Sequence, residues 1–337
     1  MKILITGGAG FIGVHSAHRF AAQHEVTVLD NLSRRGSENN LQWLRSERSV
    51  AFEKIDIRDA GSVRACVAKI KPDAVLHLAA QVAVTTSVTN PREDFEINAL
   101  GTLNLLEAVR LESPDAAFIY SSTNKVYGEL PEFGTELVNG RYEYSHSKQG
   151  VPESQGLDFH SPYGCSKGAA DQYVRDYARI YNLRSVVFRQ SCIYGTRQFG
   201  VEDQGWIAWF SIRAALGKPV TIYGDGRQVR DVLWVQDLVD AYAKALERID
   251  AVKGRIFNMG GGPERLFSLL ELLEVLRELS GRKLEHTFSD WRPGDQKVFV
   301  ADVALAQREL GWKAQVAPRE GVARIYKWVC DNRKLFE

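Results

Sequence analysis

Along the first half of the chain, short apolar runs alternate with longer stretches whose apolar positions recur every three or four residues. The short runs are KILIT, EVTVLD, VAFEKID, AVLHLAA, AAFIYSS and SVVFRQS; FIGVHSAHRFAAQ and DFEINALGTLNLLEAVRLE are two of the intervening helical stretches. Short β-rich runs that alternate with helices predict βαβ units and a parallel sheet covered on both faces. The expected fold class is therefore α/β, a doubly wound parallel sheet. After about Arg189 the rhythm loosens into Gly- and aromatic-rich loops, a helix near WIAWFSIRAAL, the amphipathic LFSLLELLEVLRELS and a C-terminal helix, which predicts a second, smaller lobe. Residues 129–160 are polar and rich in Gly, Pro and Ser, too long for a plain connection, and are expected to form a lid or an embellishment.

KILIT runs directly into Gly7-Gly8-Ala9-Gly10-Phe11-Ile12-Gly13, which contains both Gly-x-x-Gly-x-x-Gly and Gly-x-Gly-x-x-Gly. Glycines let the backbone turn sharply and approach a pyrophosphate, while the following helix aims its N-terminal N–H groups and dipole at the anion. EVTVLD ends in Asp30, about 20 residues on, where a carboxylate can hold a ribose 2′-hydroxyl. Strand, glycine turn, helix and acid together predict a dinucleotide site in a Rossmann-type domain. An acid at that position repels a 2′-phosphate and favours NAD over NADP, although Arg34 and Arg35 close behind could accommodate a phosphate. Asp56 and Ile57 follow the third run and Leu78, Ala79 and Ala80 the fourth, at the carboxyl edge where such sheets bind ligands. His77, inside AVLHLAA, is expected to be a packed strand residue.

Tyr-x-x-x-Lys occurs twice between residues 142 and 174, as Tyr144–Lys148 and as Tyr163–Lys167. Residues at i and i+4 share a helix face, and only the second copy has a helix to share. Ser161 can cap it, Pro162 suits its first turn, and GAADQYVRDYARIYN continues it. Lys148 is followed by Gln149-Gly150-Val151-Pro152, which ends any helix. AAFIYSS delivers Ser121, Ser122 and Thr123 to the same sheet edge as the glycine turn. A phenol with a reference pKa of about 10 is a poor base at neutral pH, but a nearby ammonium and a nicotinamide cation both favour its phenolate. Tyr163 is thus expected to be an acid/base suited to a sugar hydroxyl.

Bulk composition removes other classes. The 337 residues are 45% hydrophobic and 25% charged, and 43 basic against 42 acidic residues leave a net charge of +1 with no long runs. That excludes a nucleic-acid or membrane-surface footprint. Cys66, Cys165, Cys192 and Cys330 form no Cys-x-x-Cys pair, so neither a metal site nor a disulfide framework is expected. MKILITGGAGFIG is unlike a signal peptide and no apolar span reaches about 18 residues, so a soluble, cytoplasmic protein is expected.

TGGAGFIG with Asp30, LAAQVAV, Asn98, YSSTNKVYG, SPYGCSK, GDGRQVRDVLWVQD and WRPGDQ together resemble the extended short-chain dehydrogenases/reductases that act on nucleotide sugars, over essentially the whole chain. STNKVYG, LDFHSPYGCSKGAADQYVRDYARIY and RQSCIYGTRQFGVEDQGWIAWF look most like the CDP-tyvelose (CDP-paratose 2-) epimerase branch. The resemblance implies Tyr163 as catalytic acid/base, Lys167 as its pKa-lowering partner and Thr123 as the hydroxyl on the reacting sugar oxygen. It implies NAD lined by Gly7, Gly10, Phe11, Ile12, Gly13, Asp30, Asn31, Asp56, Ile57, Leu78, Ala79, Ala80, Gln81, Asn98, Ser121, Tyr163 and Lys167. A nucleotide-diphosphate sugar, with a CDP-hexose favoured, would meet Thr123, Asn124, Gln190, Arg230 and Arg292. The two arginines match groups that hold the diphosphate, a task for which a planar fork is apt; by the residues alone, Arg230 could equally pair with Asp231.

The implied reaction is transient oxidation to a keto-sugar, rotation and re-reduction. Nothing in composition or spacing selects C2 over C4, and no motif reads the base. A UDP-sugar 4-epimerase is the alternative; a 4,6-dehydratase would carry Asp-Glu where this chain has Asn124-Lys125, and a regulatory binding protein would tend to lose Tyr163 and Lys167. Residues 1–188 with about 227–257 are expected to form the NAD-binding domain, and about 189–226 with 258–337 the nucleotide-sugar lobe. A homodimer or homotetramer is implied by the family. Trp206, Trp209 and Phe210 are expected to pack a helix face.

Overall fold

The computed structural model of the chain describes residues 1–292 and 294–337. Strand β1 (Lys2–Thr6) passes through the glycine turn into α1 (Phe11–Phe20), followed by β2 (Glu25–Leu29), α2 (Ser37–Glu47), β3 (Ala51–Glu53), α3 (Ala60–Ile70) and β4 (Ala74–His77). Short helical turns from Val84 lead into α4 (Gly101–Glu112), then β5 (Ala117–Thr123), β6 (Thr135–Val138), β7 (Arg141–Tyr144), α5 (Pro162–Ile180) and β8 (Arg184–Gln190). Beyond these lie α6 (Trp206–Leu216), α7 (Val235–Glu247) and β9 (Ile256–Met259).

Seven strands form one parallel sheet in the order β9-β8-β5-β4-β1-β2-β3. The six runs singled out by the hydrophobic pattern are six of them; β9, only four residues long, completes the edge. Successive strand residues point to opposite faces, and β1 displays this directly. Ile3 and Ile5 join a core with Val14, Phe188 and Leu238 on one side, while Leu4 joins Val67, Leu105 and Phe118 on the other. Each such fully buried side chain contributes about 1.5–3 kcal/mol, so neither face tolerates a polar register. The order reverses between β1 and β4, and the carboxyl ends of strands flanking such a reversal leave a crevice for ligands.

A third core holds the remaining segments together, with Ile207, Phe210, Ile222, Trp234, Leu272 and Ile325 buried around α6 and the helices Leu269–Ser280 and Pro318–Asp331. Ser268 caps Leu269–Ser280 in a reciprocal capping box with Glu271. Phe210 packs in this core with Trp206 and Trp209 against it, as expected, and Trp206 also opens onto the cleft described below.

Residues 129–160 are more ordered than their composition suggests. β6 and β7 pair as a hairpin around Asn139-Gly140, whose φ values of 50° and 84° are those of the type I′ turn that Asn-Gly favours. The hairpin docks on the second lobe: Tyr142 donates its backbone N–H to Arg227 O (3.1 Å) and its hydroxyl to Asp225 (2.8 Å), and the Tyr144 hydroxyl donates to Val298 O (3.1 Å). Lys148 is exposed. The first Tyr-x-x-x-Lys copy is thus a docking element, and no described residue from 129 to 160 lines the main cleft, so a lid role has no support.

Among the described residues, no helix is long and apolar enough to cross a membrane, and no cluster of His, Cys, Asp and Glu could hold a metal ion. All four cysteines are free.

Candidate active site

The helix that carries the second Tyr-x-x-x-Lys begins as its sequence dictates. Ser161 Oγ accepts from Gly164 N (3.0 Å), Pro162 occupies the first turn, and the inner face buries Tyr163 and Lys167. Lys167 Nζ donates to Ser121 O at the end of β5 (2.5 Å) and lies 4.3 Å from the Tyr120 ring centroid. Tyr163 shares a hydrogen bond with Thr123, two residues along β5 from Ser121. Helix and strand end therefore converge on one point.

Electrostatics there differ from the sequence expectation of a phenol lowered by its lysine. Burial pushes the Tyr163 phenol up to about 12, opposed by the hydrogen bond from Thr123, and pushes Lys167 down to about 7, opposed by Asp171 and Asp94. Desolvation disfavours both charged forms, so burial alone keeps Tyr163 a phenol, and added positive charge beside it would work against that burial.

The dinucleotide groove shows why its glycines are there. Gly7 has φ +66°, and a Cβ on it would come within 2.6 Å of Ala79 N; a Cβ on Gly13 would meet Gly7 O at 2.1 Å. The cradle admits backbone alone, as a pyrophosphate site beside a helix N-terminus requires. Asp30 is buried and ties the turn together, accepting from Ala9 N (3.0 Å) and Leu32 N (2.8 Å); burial raises its pKa. Asn31 donates to Asp56 (2.9 Å), whose carboxyl the Arg58 side chain holds down at about 2.

A cleft of about 630 Å³ joins these parts. It is lined by Gly7, Gly10, Phe11, Ile12 and Gly13 of the turn, by Asp30, Asn31, Asp56 and Ile57, and by Leu78, Ala79, Ala80 and Gln81. Ser121, Thr123, Asn124, Tyr163, Lys167 and Gln190 line it too. Three expected residues do not. Asn98 lies behind the wall, where it accepts from Gln81 N (2.9 Å) and donates to Gln81 O (3.1 Å), so it shapes the lining instead of forming it. Arg230 and Arg292 stand outside the lining, paired with Asp295 (2.7 Å) and Asp203 (2.9 Å). Arg230 does not pair with Asp231, which is buried and held by Ser191 Oγ, Gly262 N and Ala301 N. Sequence reasoning missed Asn40 of α2 and Arg197, Gln198, Phe199, Gln204 and Trp206, which also line the cleft; the last five meet α1 and α2 only through the fold, and no local signal marks them.

The groove fits a dinucleotide, and comparison with known proteins agrees. Residues 3–260 match the NAD dependent epimerase/dehydratase family. The chain is 47% identical to CDP-paratose 2-epimerase of Salmonella typhi over 334 residues, 97% of this chain and 99% of that protein. The UDP-glucose 4-epimerase of Thermotoga maritima, solved with UDP-glucose, superposes with a TM-score of 0.85 at 33% identity and covers 100% of both chains. The UDP-glucose 4-epimerase of Thermus thermophilus, solved as a complex with NAD, gives a TM-score of 0.82 at 33% identity, covering 97% of this chain and 98% of that one. With the glycine cradle, the buried Tyr163–Lys167 pair and the doubly wound sheet all in place, the chain belongs to the NAD-dependent epimerase/dehydratase family of extended short-chain dehydrogenases/reductases.

Proposed function

We propose that this protein inverts the C2 carbon of a nucleotide-diphosphate hexose, converting CDP-paratose to CDP-tyvelose or a related gluco/manno pair. The observation that carries the reading is the intact Tyr163–Lys167–Thr123 constellation in a chain 47% identical to a CDP-paratose 2-epimerase over nearly its full length. NAD, when bound, supplies reversible hydride acceptance at the sugar carbon. Tyr163 takes the proton of the hydroxyl on that carbon and returns it once the hexose has turned about its diphosphate. Thr123 holds the hydroxyl oxygen, and Lys167, one helical turn on, supplies positive charge that favours the phenolate. Arg230 and Arg292 hold the diphosphate in exchange for Asp295 and Asp203. In this reading residues 1–188 with about 227–257 carry NAD, and about 189–226 with 258–337 carry the nucleotide sugar; the pairing of β9 with β8 supports returning the chain to the first unit.

A UDP-sugar 4-epimerase is the second reading, favoured by the likeness to the two UDP-glucose 4-epimerases. Asn124-Lys125, where the resembling dehydratases carry Asp-Glu, speaks against dehydration. Exposed apolar side chains on neighbouring helices, among them Phe95, Leu100, Tyr173 and Ile180, support a homodimer or homotetramer. The free cysteines support a reducing compartment, the cytoplasm.

Incubation with CDP-, GDP- and UDP-hexoses, with products assigned by NMR, tests the reading. Inversion at C4 with none at C2 would overturn it. Tyr163→Phe should abolish turnover while NAD stays bound, and Tyr144→Phe should keep most activity; equal losses would show that the acid/base is misassigned.

A further inference from the structure

We propose that the segment from Thr196 to Gly205 is a second wall of the dinucleotide site, latched by Gln204 to Arg34, which keeps NAD in place from one turnover to the next. The inference rests on NAD as the cofactor, but not on which sugar carbon is inverted.

The segment belongs by packing to the second lobe, yet its anchors are on α1 and α2. Thr196 O accepts from His15 Nε2 (2.8 Å), and Arg197 O accepts from Asn40 Nδ2 (3.2 Å). Gln236 donates to the other His15 nitrogen (3.1 Å), which fixes Nε2 as the protonated one, and burial holding His15 down at about 4 keeps it neutral. The Arg197 guanidinium lies 3.9 Å from the Trp43 ring centroid. Phe199 reaches from a cluster with Trp328 and Phe336 to press on Gly36, where a Cβ would stand only 2.1 Å from the ring. Gly36 also has φ +85°, so geometry and space both demand glycine there.

The far end of the segment closes the gap. Val201 and Gln204 exchange backbone hydrogen bonds of 3.0 Å in both directions, forming a tight turn that presents the Gln204 side chain to Arg34. Arg34 Nη2 donates to Gln204 Oε1 at 2.6 Å. On the outer side of the turn, Arg292 Nη2 donates to Glu202 O (3.1 Å) and pairs with Asp203. Arg197, Phe199 and Gln204 thus line the same cleft as Asp30, Asn31 and Arg34 from the opposite side. A dinucleotide between glycine turn and segment can leave only if Arg34 and Gln204 part and Phe199 lifts from its cluster. A reaction that regenerates its own NAD needs no such exit.

The test is exchange of bound NAD against radiolabelled NAD, followed by gel filtration of the intact protein. Wild type should exchange slowly. Gln204→Ala should exchange about tenfold faster or more, the effect of losing one hydrogen bond to a charged group, while Gln204→Glu, which keeps an acceptor for Arg34, should retain slow exchange. The Arg34→Ala/Gln204→Ala double variant should exchange no faster than Arg34→Ala alone. Wild-type exchange in Gln204→Ala, or multiplicative effects in the double variant, would overturn the latch. Inversion at C4 would leave these rates untouched, and a wild-type protein that retains no NAD would overturn the wall whatever the sugar.

Discussion

Replacing Asp171 by alanine tests how the site is braced from below. Asp171 lies one turn beyond Lys167 on α5 and accepts two bonds from Arg189 of β8, from Nε and Nη2 at 2.9 Å each, and one from Ser122 Oγ at 2.7 Å. The two side chains are 0% and 2% exposed, so solvent screens neither. Arg189 Nη1 donates to the Tyr127 hydroxyl (3.1 Å), which donates to Asn258 (2.7 Å) on β9, so one polar chain crosses the sheet edge. Removing one member of a buried ion pair costs about 3–5 kcal/mol because the other charge is left uncompensated, a large part of a total of about 5–15 kcal/mol. Urea unfolding should show a lower midpoint at unchanged m. The double variant Asp171→Leu/Arg189→Met removes both charges and should recover most of that loss. Activity should not recover with it. Burial pushes Lys167 down to about 7 while Asp171 pushes it up, so without the carboxylate the ammonium is lost at lower pH and the alkaline limb of the rate profile moves toward acid. A loss of no more than about 1 kcal/mol in Asp171→Ala, the value of an exposed pair, or an unmoved alkaline limb in the folded double variant, would refute the reasoning.

Arg292→Ala should raise KM for the nucleotide sugar roughly tenfold or more while lowering kcat less, because diphosphate contacts act alike in ground and transition states; steady-state kinetics check it, and an unchanged KM removes Arg292 from the site. His77, buried between Thr6 and Thr102, is held down at about 3 by burial and by Lys167. The unfolded chain therefore binds a proton below about pH 6.5 that the folded chain refuses, and stability falls as pH falls. The unfolding free energy of wild type relative to His77→Gln should drop by up to about 1.4 kcal/mol per pH unit from pH 6.5 toward 5; parallel stability curves would exclude His77 as the cause. Tyr173→Glu with Ile180→Glu, on an exposed face of α5, should reduce the sedimenting mass to a monomer, and an unchanged mass would place the subunit contact elsewhere.

What the sequence made legible is what a short window contains. The glycine turn, the position of Asp30, the capped start of α5 and six of the seven sheet strands each follow from neighbours within a few residues, and the structure assembles them as expected. The β6–β7 hairpin is equally local, since Asn139-Gly140 between TELV and RYEY is a strong two-residue turn signal; polar composition masks it. Other features depend on burial, which no window holds. The Tyr163 phenol is pushed up because the short helix bearing Ser87, α5 and β5 together exclude water from it, although its lysine neighbour alone would pull it down. Arg230 has Asp231 beside it in the chain, yet the fold gives it Asp295, 65 residues away. Asn98 is implied by the family resemblance as an NAD-lining residue but reaches the cleft only through Gln81.

The same division separates chemistry from specificity. Tyr163, Lys167 and Thr123 sit on one helix and one strand end whose geometry the sheet fixes, and in the proposed reaction they serve whichever hydroxyl is placed beside them. On that proposal, which carbon is placed there depends on where the diphosphate is gripped, because the hexose turns about that anchor. In the proposed reading the grip lies with Arg230 and Arg292, and contacts between the two halves of the chain frame them: Asp203 and Glu202 hold Arg292, Gln204 of the same turn holds Arg34, and Lys125 beside the active-site strand donates to Gly294 O (3.4 Å) and Gln296 (3.4 Å). A shift of that frame by the two carbon–carbon bonds that separate C2 from C4 would exchange one for the other without altering a residue of the acid/base pair. Choice of carbon is thus a property of contacts between the two halves of the chain, which is why the machinery could be read from motifs and the site of inversion could not.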